Sequence, residues 1–312
     1  MKNKQPPVVD DNRQLWRGKP LVSIVMPVRN GEKYLPQAID SLVQQTYRQW
    51  ELVVVNDNSK DNTLSILKKY AKKYNRIFVY STKRRVGISR ALELGLKKAK
   101  GDFIARMDAD DICLPERLAK QVSYLKRRSD VVAIGAQCYV INAKGKHIGK
   151  KKFPLTYPEI YDFAFKFNPV QHPTLMFVRS RLPEDFEYYH DSFDGAEDLD
   201  LLFKLFRYGR VENMNQYLLK YRIHQLNSSL IDVKDNFRQA LLARVKAVRK
   251  YNYQPSFSGL IVTLAQFFIV SFLPAKFIYR LYFVMRKIKS EAESVEKAVK
   301  KQALKPRFAF SS

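Results

Sequence analysis

The chain alternates short apolar runs with amphipathic segments, and this alternation restricts its fold more than any other feature. Leu21 to Met26 reads LVSIVM and stops at Pro27, and Glu51 to Val55 reads ELVVV. Arg76 to Tyr80 and Asp102 to Arg106 are a third and a fourth run. Each has the length and β-branched content of a buried strand. Between them, Glu32 to Gln45, Thr63 to Tyr74 and Ser89 to Lys100 place apolar residues at helical spacing, as with Leu35, Ile39, Leu42 and Val43. Gly101 follows the third helix where a C′ residue belongs. Pro115 opens a fourth helix, and Val131 to Ala136 is a fifth strand. Strands that are apolar on both faces need helices on both faces. The pattern therefore predicts an α/β fold with a Rossmann-like, mostly parallel central sheet flanked by helices.

In such sheets ligands collect at the carboxyl ends of the strands. The polar clusters sit there: Arg29-Asn30 after the first strand, Asn56 to Asp61 after the second, Asp108 to Asp111 after the fourth. Asp108-Ala109-Asp110 sets two carboxylates around one small residue. Hard divalent cations such as Mg²⁺ and Mn²⁺ take such oxygen ligands. Alone, the pair also suits an acidic loop before the helix at Pro115; its position after a buried strand favours the metal. Asn56 to Asp61 also suits a turn, with Asp61 capping the next helix. Asp57 stands nearer the strand end, within reach of a ribose or base. After about residue 140 the pattern is broken by Pro154, Pro158, Pro169, Pro173 and Pro183. A helix returns at Leu199 to Tyr208, directly after Glu197-Asp198, and Asp235 to Lys250 is another.

The net charge is +26, from 56 Lys+Arg against 30 Asp+Glu. Residues 236–312 alone hold 15 Lys+Arg and 3 Asp+Glu, and they include 19 uncharged residues from Phe257 to Ala275. At ~1.5 Å per residue that run reaches ~28 Å, but Lys276 and Arg280 follow at once. Lys276 to Lys289 then interleaves Phe277, Ile278, Leu281, Tyr282, Val284, Met285 and Ile288 with five basic residues, as in a basic interfacial helix. The expectation is an in-plane, monotopic attachment to an anionic membrane surface. Packing on the rest of the chain, a homo-oligomer contact and a single span are the alternatives. Met1 to Pro20 is polar and basic, without the apolar core of a signal peptide. Cys113 and Cys138 make neither a disulfide framework nor zinc spacing. Both features suggest a cytoplasmic location. A basic nucleic-acid-binding protein is the rival reading of the charge, and the acidic cluster at the sheet edge argues against nucleic acid as a partner.

Taken in order, Val22-Ser23-Ile24-Val25-Met26-Pro27-Val28-Arg29-Asn30, Glu32, Asn56-Asp57-Asn58-Ser59-Lys60-Asp61 and Gly101-Asp102-Phe103-Ile104-Ala105-Arg106-Met107-Asp108-Ala109-Asp110-Asp111 resemble the inverting family 2 glycosyltransferases with the GT-A fold. Gln171-His172-Pro173-Thr174, Glu197-Asp198 and Tyr221-Arg222-Ile223-His224 are similar to the same family. The resemblance covers roughly residues 20–230. It implies that Asp57 contacts the nucleoside of a nucleotide-sugar, in a pocket lined by Pro27, Val28, Asn30 and Glu32. Asp108, Ala109 and Asp110 become the D-x-D motif, with Asp110 on Mn²⁺ or Mg²⁺ and Asp108 on ribose or metal. Asp198 becomes the general base for the acceptor hydroxyl, with Glu197 as the alternative. His224 would complete the metal shell or reach the diphosphate, and His172 would line the acceptor side. Arg90 would meet donor phosphate, with Arg84 and Arg85 near it.

Processive members of that family carry a Gln-x-x-Arg-Trp motif and several membrane spans. The only tryptophans here, Trp16 and Trp50, lie far from where that motif would fall. The resemblance thus implies a single transfer, from a UDP-sugar, to a hydroxyl of a glycan or lipid-linked acceptor in surface-polysaccharide or lipopolysaccharide-type biosynthesis. It divides the chain into an arm (1–20), a GT-A domain (21–235, with a nucleotide-sugar half to about 140 and an acceptor half beyond) and a C-terminal helical membrane-associating extension (236–312). A sugar-phosphate nucleotidyltransferase is the rival enzyme. It would need a Gly-rich or basic triphosphate loop after the first strand, and Pro27 to Glu32 is a poor one.

Overall fold

The computed structural model describes residues 18–189, 195–224 and 233–273. The expected arm to residue 17, the basic segment Lys276 to Lys289 and the remaining tail lie outside them. The strands are β1 (Val22–Val28), β2 (Trp50–Asn56), β3 (Ile77–Ser81), β4 (Phe103–Arg106), β5 (Ile112–Cys113), β6 (Val131–Ile141), β7 (His147–Lys151), β8 (Met176–Val178) and β9 (Arg210–Arg222). The helices are α1 (Leu35–Val43), α2 (Thr63–Lys73), α3 (Ile88–Lys98), α4 (Arg117–Arg127), α5 (Tyr157–Ala164) and α6 (Glu197–Leu205). Two more follow, α7 (Val233–Tyr251) and α8 (Phe257–Phe272).

The strands form one sheet in the order β3-β2-β1-β4-β8-β6-β9-β5, with β7 on β6. β1 pairs in parallel with β2 and β4, and β2 with β3. This is the parallel sheet that the first four apolar runs predict. Beyond β4 the sheet is mixed: β8 runs antiparallel to β4 and β6, β6 and β9 run parallel, and β5 and β7 are antiparallel additions. β1 runs through Pro27 instead of stopping before it. Its β4 neighbour ends at the pair Val25↔Arg106, so the proline falls where β1 has lost one partner.

Residue alternation sorts the core into two layers. Val25, Val53 and Ile104 face Leu92 and Leu96 of α3 on one side. Ile24, Leu52, Val54 and Phe103 face Leu35 and Ile39 of α1 and Leu118 and Val122 of α4 on the other. Every residue of β2 is buried, as a strand covered on both faces requires.

Gly101 is not the left-handed end of α3. The helix stops at Lys98, and the cap residue Ala99 is extended. Glycine is needed because two backbones meet: a Cβ on Gly101 would stand 2.5 Å from the Ser23 amide nitrogen. The Gly101 N–H donates to Ser23 Oγ at 2.7 Å, and that hydroxyl donates to Glu51 Oε1 at 2.5 Å. Gly101→Ala is expected to lower stability by about 1–3 kcal/mol through backbone displacement, read as a lower urea midpoint at unchanged slope.

α7 packs on α6 around a buried acid. Asp200 receives Lys204 Nζ at 3.1 Å from its own helix and Lys246 Nζ at 3.2 Å from α7. α8 is capped by Ser256, whose Oγ accepts the Gly259 N–H at 3.0 Å. Among the described residues no helix is long and apolar enough to cross a membrane.

Candidate active site

The turns after β1 and β2 are laced together. Ser59 Oγ accepts the Asn30 N–H at 2.9 Å, and Asn30 Oδ1 accepts the Lys60 N–H at 2.8 Å. Asp61 Oδ2 accepts the Glu32 N–H at 3.0 Å, while Glu32 Oε2 accepts the Asn62 N–H at 2.9 Å. Asn30 and Asn58 take left-handed conformations, with φ of 52° and 48°. Asparagine tolerates that region better than other non-glycine residues. Asp61 Oδ1 also accepts the Thr63 N–H, the first of α2, but the cap position itself is Asn62, so Asp61 holds the helix start from one residue before the expected place. A Cβ on Gly31 would lie 3.9 Å from Ala109 Cβ, which sets this turn against the D-x-D motif.

Asp57 is buried and well occupied. Its Oδ1 accepts from Thr82 Oγ1 at 3.1 Å and from the Val86 N–H at 2.7 Å, and its Oδ2 accepts the Gly87 N–H at 3.1 Å. It fixes the loop between β3 and α3, where Gly87 has φ 89°. Arg84, Arg85 and Arg90 are exposed on that loop and on the first turn of α3.

Asp108, Asp110 and Asp111 converge after β4. One carboxylate oxygen from each lies within 4.8 Å of the others. Arg106 Nη1 pairs with Asp108 Oδ1. Burial disfavours the Arg106 charge, but Asp108 outweighs it and the pKa is raised. Burial also pushes the Asp108 carboxyl up, against the pull of Arg106. Asp111 is raised well above the carboxylate range by burial and by its two acidic neighbours. Asp111 Oδ1 accepts the Arg222 N–H at 2.8 Å. Its Oδ2 is buried with no hydrogen-bond partner among the described residues. A buried orphan carboxylate oxygen beside two further carboxylates fits a site completed by a hard cation.

β9 brings the last pieces. Arg222 Nε donates to the Asp110 carbonyl at 2.7 Å, and its guanidinium lies 4.5 Å from the centre of the Tyr34 ring. His224 Nε2 stands 2.8 Å from Asp110 Oδ2. The fold thus brings His224 beside Asp110, the residue expected to hold the metal.

On the other side, α6 begins at Glu197. Asp198 Oδ2 accepts from Asn168 Nδ2 at 2.6 Å, and Oδ1 accepts the Leu199 N–H at 2.7 Å. Burial pushes Asp198 up to about 6, while its hydrogen bond from Leu199 and the Arg106 charge restrain the rise. Burial, with the charge of Asp198 beside it, pushes Glu197 up to about 8. Both carboxyls are thus raised by burial, Glu197 more than Asp198. His172 Nε2 lies 2.9 Å from Tyr189 Oη, and burial drives its pKa well down, so the ring is neutral.

Sequence reasoning gave no role to Arg106, Arg117, Asn168 or Arg222. Arg117 is fully buried and its Nη2 donates to the Arg106 carbonyl at 2.9 Å, bracing the strand end before Asp108. Its only sequence signal was position, at the start of the helix after the acidic cluster.

A mixed sheet with an acidic cluster after β4, and a buried carboxylate pair near enough for Asp198 to feel the charges of Arg106 and Asp108, suits a glycosyltransferase of the GT-A fold. Residues 23–185 match the family described as Glycosyl transferase family 2, and the chain belongs to that family. It is 34% identical over 209 residues to the O-antigen biosynthesis glycosyltransferase WbnJ of Escherichia coli, covering 65% of this chain and 80% of that one. Its fold is similar to S. aureus TarS 1-349 in complex with UDP-GlcNAc, at TM-score 0.56 and 17% identity, over 93% of this chain and 94% of that one. It is also similar to the mannosyltransferase PcManGT from Pyrobaculum calidifontis in complex with GDP-Man and Mn²⁺, at TM-score 0.56 and 16% identity, over 92% and 88%.

Proposed function

We propose that this glycosyltransferase is metal-dependent and inverting, and that it moves one sugar from a UDP-sugar to a hydroxyl of a glycan or lipid-linked acceptor. The observation that carries the reading is the placing of two distinct acid sets at one sheet edge. Asp108, Asp110 and Asp111 are clustered for a cation, whereas Asp198 is held apart by Asn168 as a proton acceptor.

In this reading Asp110 holds Mn²⁺ or Mg²⁺ with Asp108, Asp111 and His224 around it. When bound, the ion supplies positive charge against the leaving diphosphate. The turns at Asn30, Glu32 and Asp57 would shape the nucleoside pocket together with Pro27, Val28 and Ala109, and Arg90 would meet donor phosphate. Asp198 takes the acceptor proton, oriented by Asn168 and the Leu199 N–H. Glu197, raised further by burial and by the Asp198 charge, is the alternative base. His172, kept neutral and tied to Tyr189, lines the acceptor side. A direct displacement with one base and one electrophile on opposite faces of the sugar inverts its anomeric centre.

The solved neighbours support a nucleotide-sugar donor, one with UDP-GlcNAc and one with GDP-Man and Mn²⁺. The relative named for O-antigen biosynthesis supports a surface-glycan acceptor. We place the reaction at the cytoplasmic membrane face, with residues 21–235 as catalytic domain and 236–312 as a membrane-associating extension. A panel of nucleotide-sugars with Mn²⁺ or EDTA tests the reading. UDP-sugars are expected to raise the melting temperature with Mn²⁺ and to lose that effect in EDTA. No stabilisation by any nucleotide or nucleotide-sugar in the presence of metal contradicts it.

A further inference from the structure

A surface helix usually turns its apolar side inward and its polar side to water. α8 does the reverse. Its buried positions are Gly259 and Thr263. Thr263 Oγ1 donates to the Phe165 carbonyl at 2.6 Å, and Gln266 Nε2 donates to the Lys166 carbonyl at 2.8 Å. Arg244 of α7 joins them, donating to Gln266 Oε1 at 3.0 Å and to the Lys166 carbonyl at 2.9 Å. The polar edge of α8 is thus stitched to the body of the protein. Facing out, Ile261 is 52% exposed, Leu264 57%, Phe268 51% and Phe272 77%. Their spacing of three and four residues makes one stripe along the helix. No charged residue interrupts its 16 positions.

A contiguous exposed apolar stripe of this kind marks a partner or a membrane. Sixteen residues reach only ~24 Å, less than the ~30 Å of a hydrocarbon core, so a flat seat suits this helix and a crossing does not. Charge selects the kind of lipid. α7 exposes Lys234, Arg238, Arg249 and Lys250, and residues 236–312 hold 15 Lys+Arg against 3 Asp+Glu. Acidic headgroups over an apolar interior complement that combination.

The seat also has a direction. The two carbonyls that hold α8 belong to Phe165 and Lys166, immediately before the segment carrying Asn168. Asn168 is the side chain that donates to Asp198 at 2.6 Å. We infer that α8 lies in the plane of an acidic bilayer with the Ile261–Leu264–Phe268–Phe272 stripe immersed, which holds the Asp198 side of the cleft at the lipid surface. The inference deepens the lipid-linked acceptor reading and rests on it for its purpose.

Full-length protein carrying Leu264→Cys tests it, because Cys113 and Cys138 are buried and an environment-sensitive thiol dye is directed to position 264. The dye emission is expected to shift to the blue with phosphatidylglycerol vesicles and to stay unchanged with pure phosphatidylcholine. In flotation, the Leu264→Glu, Phe268→Glu double variant should partition roughly tenfold less than wild type. Both substitutions are on exposed positions, and stabilisation by UDP with Mn²⁺ should be unaltered. An emission already blue without vesicles and unmoved by them means that the tail or a second copy covers the stripe, and it overturns the inference. Equal flotation of the double variant, equal binding to phosphatidylcholine, or no flotation of wild type overturns it too. Loss of nucleotide stabilisation in every form contradicts the glycosyltransferase reading instead, and leaves the vesicle result standing.

Discussion

Asp198→Asn is expected to cut transfer by about 10²–10⁴-fold while leaving donor binding in place. The amide keeps the shape of the side chain and loses the proton acceptor. Wild-type kcat/KM should fall as pH drops through about 6, the value to which burial pushes Asp198, because transfer needs the unprotonated form. The variant should lose that limb. Glu197→Gln should keep it, since Asp198 and not Glu197 is oriented by Asn168 and the Leu199 N–H. Normal turnover in Asp198→Asn would move the base elsewhere. A flat wild-type profile between about pH 5 and about pH 8 would remove the assignment of Asp198 as a titrating base.

Asp110→Ala is expected to abolish the metal-dependent part of donor affinity. Asp110 stands between the Asp108–Asp111 pair and His224, so its loss takes a ligand from the middle of the cluster. The rise in melting temperature given by UDP with Mn²⁺ should shrink to the level seen in EDTA. The fold should persist, because Asp110 is only partly buried and Arg222 uses its carbonyl, which alanine retains. An undiminished response to Mn²⁺ would place the ion on other residues.

β1, β2 and β4 were legible because strands covered on both faces read as unbroken apolar runs, β3 because its apolar, β-branched run survives at the sheet's edge, and α1 to α3 because their apolar faces keep helical register. β9 was not. Its residues RVENMNQYLLKYR carry polar groups on both faces, and its pairing with β6 shifts register more than once. Neither alternation nor a continuous run survives in such a strand. β5 has two residues, too few for any pattern. β6 continued from Ala136 to Ile141, past the point where Gln137 interrupts the apolar sequence.

At the site, chain order located the acids, and geometry supplied what joins them. Asp108 and Asp110 announced themselves by spacing after a strand. Arg106 and Arg117 did not, because a buried arginine and a solvated one look alike in sequence. Their positions depend on contacts with carbonyls and acids from other elements. Gly101 was read as a helix end, when its reason lies across the sheet at Ser23. Asp57 suited a ligand contact in sequence; folded, it also anchors the loop at Val86 and Gly87. The inward polar edge of α8 was hidden for the same reason, since its acceptors are backbone carbonyls in another segment.

The central claim is that Asp108, Asp110 and Asp111 hold a divalent cation through which this chain grips a nucleotide-sugar diphosphate. Calorimetric titration of UDP into the wild-type protein, once with Mn²⁺ and once with EDTA, tests it most directly. The account predicts saturable binding in Mn²⁺ that weakens at least about tenfold in EDTA, a difference of about 1.4 kcal/mol or more. Equal affinity in the two titrations, or no heat of binding in either, would contradict it.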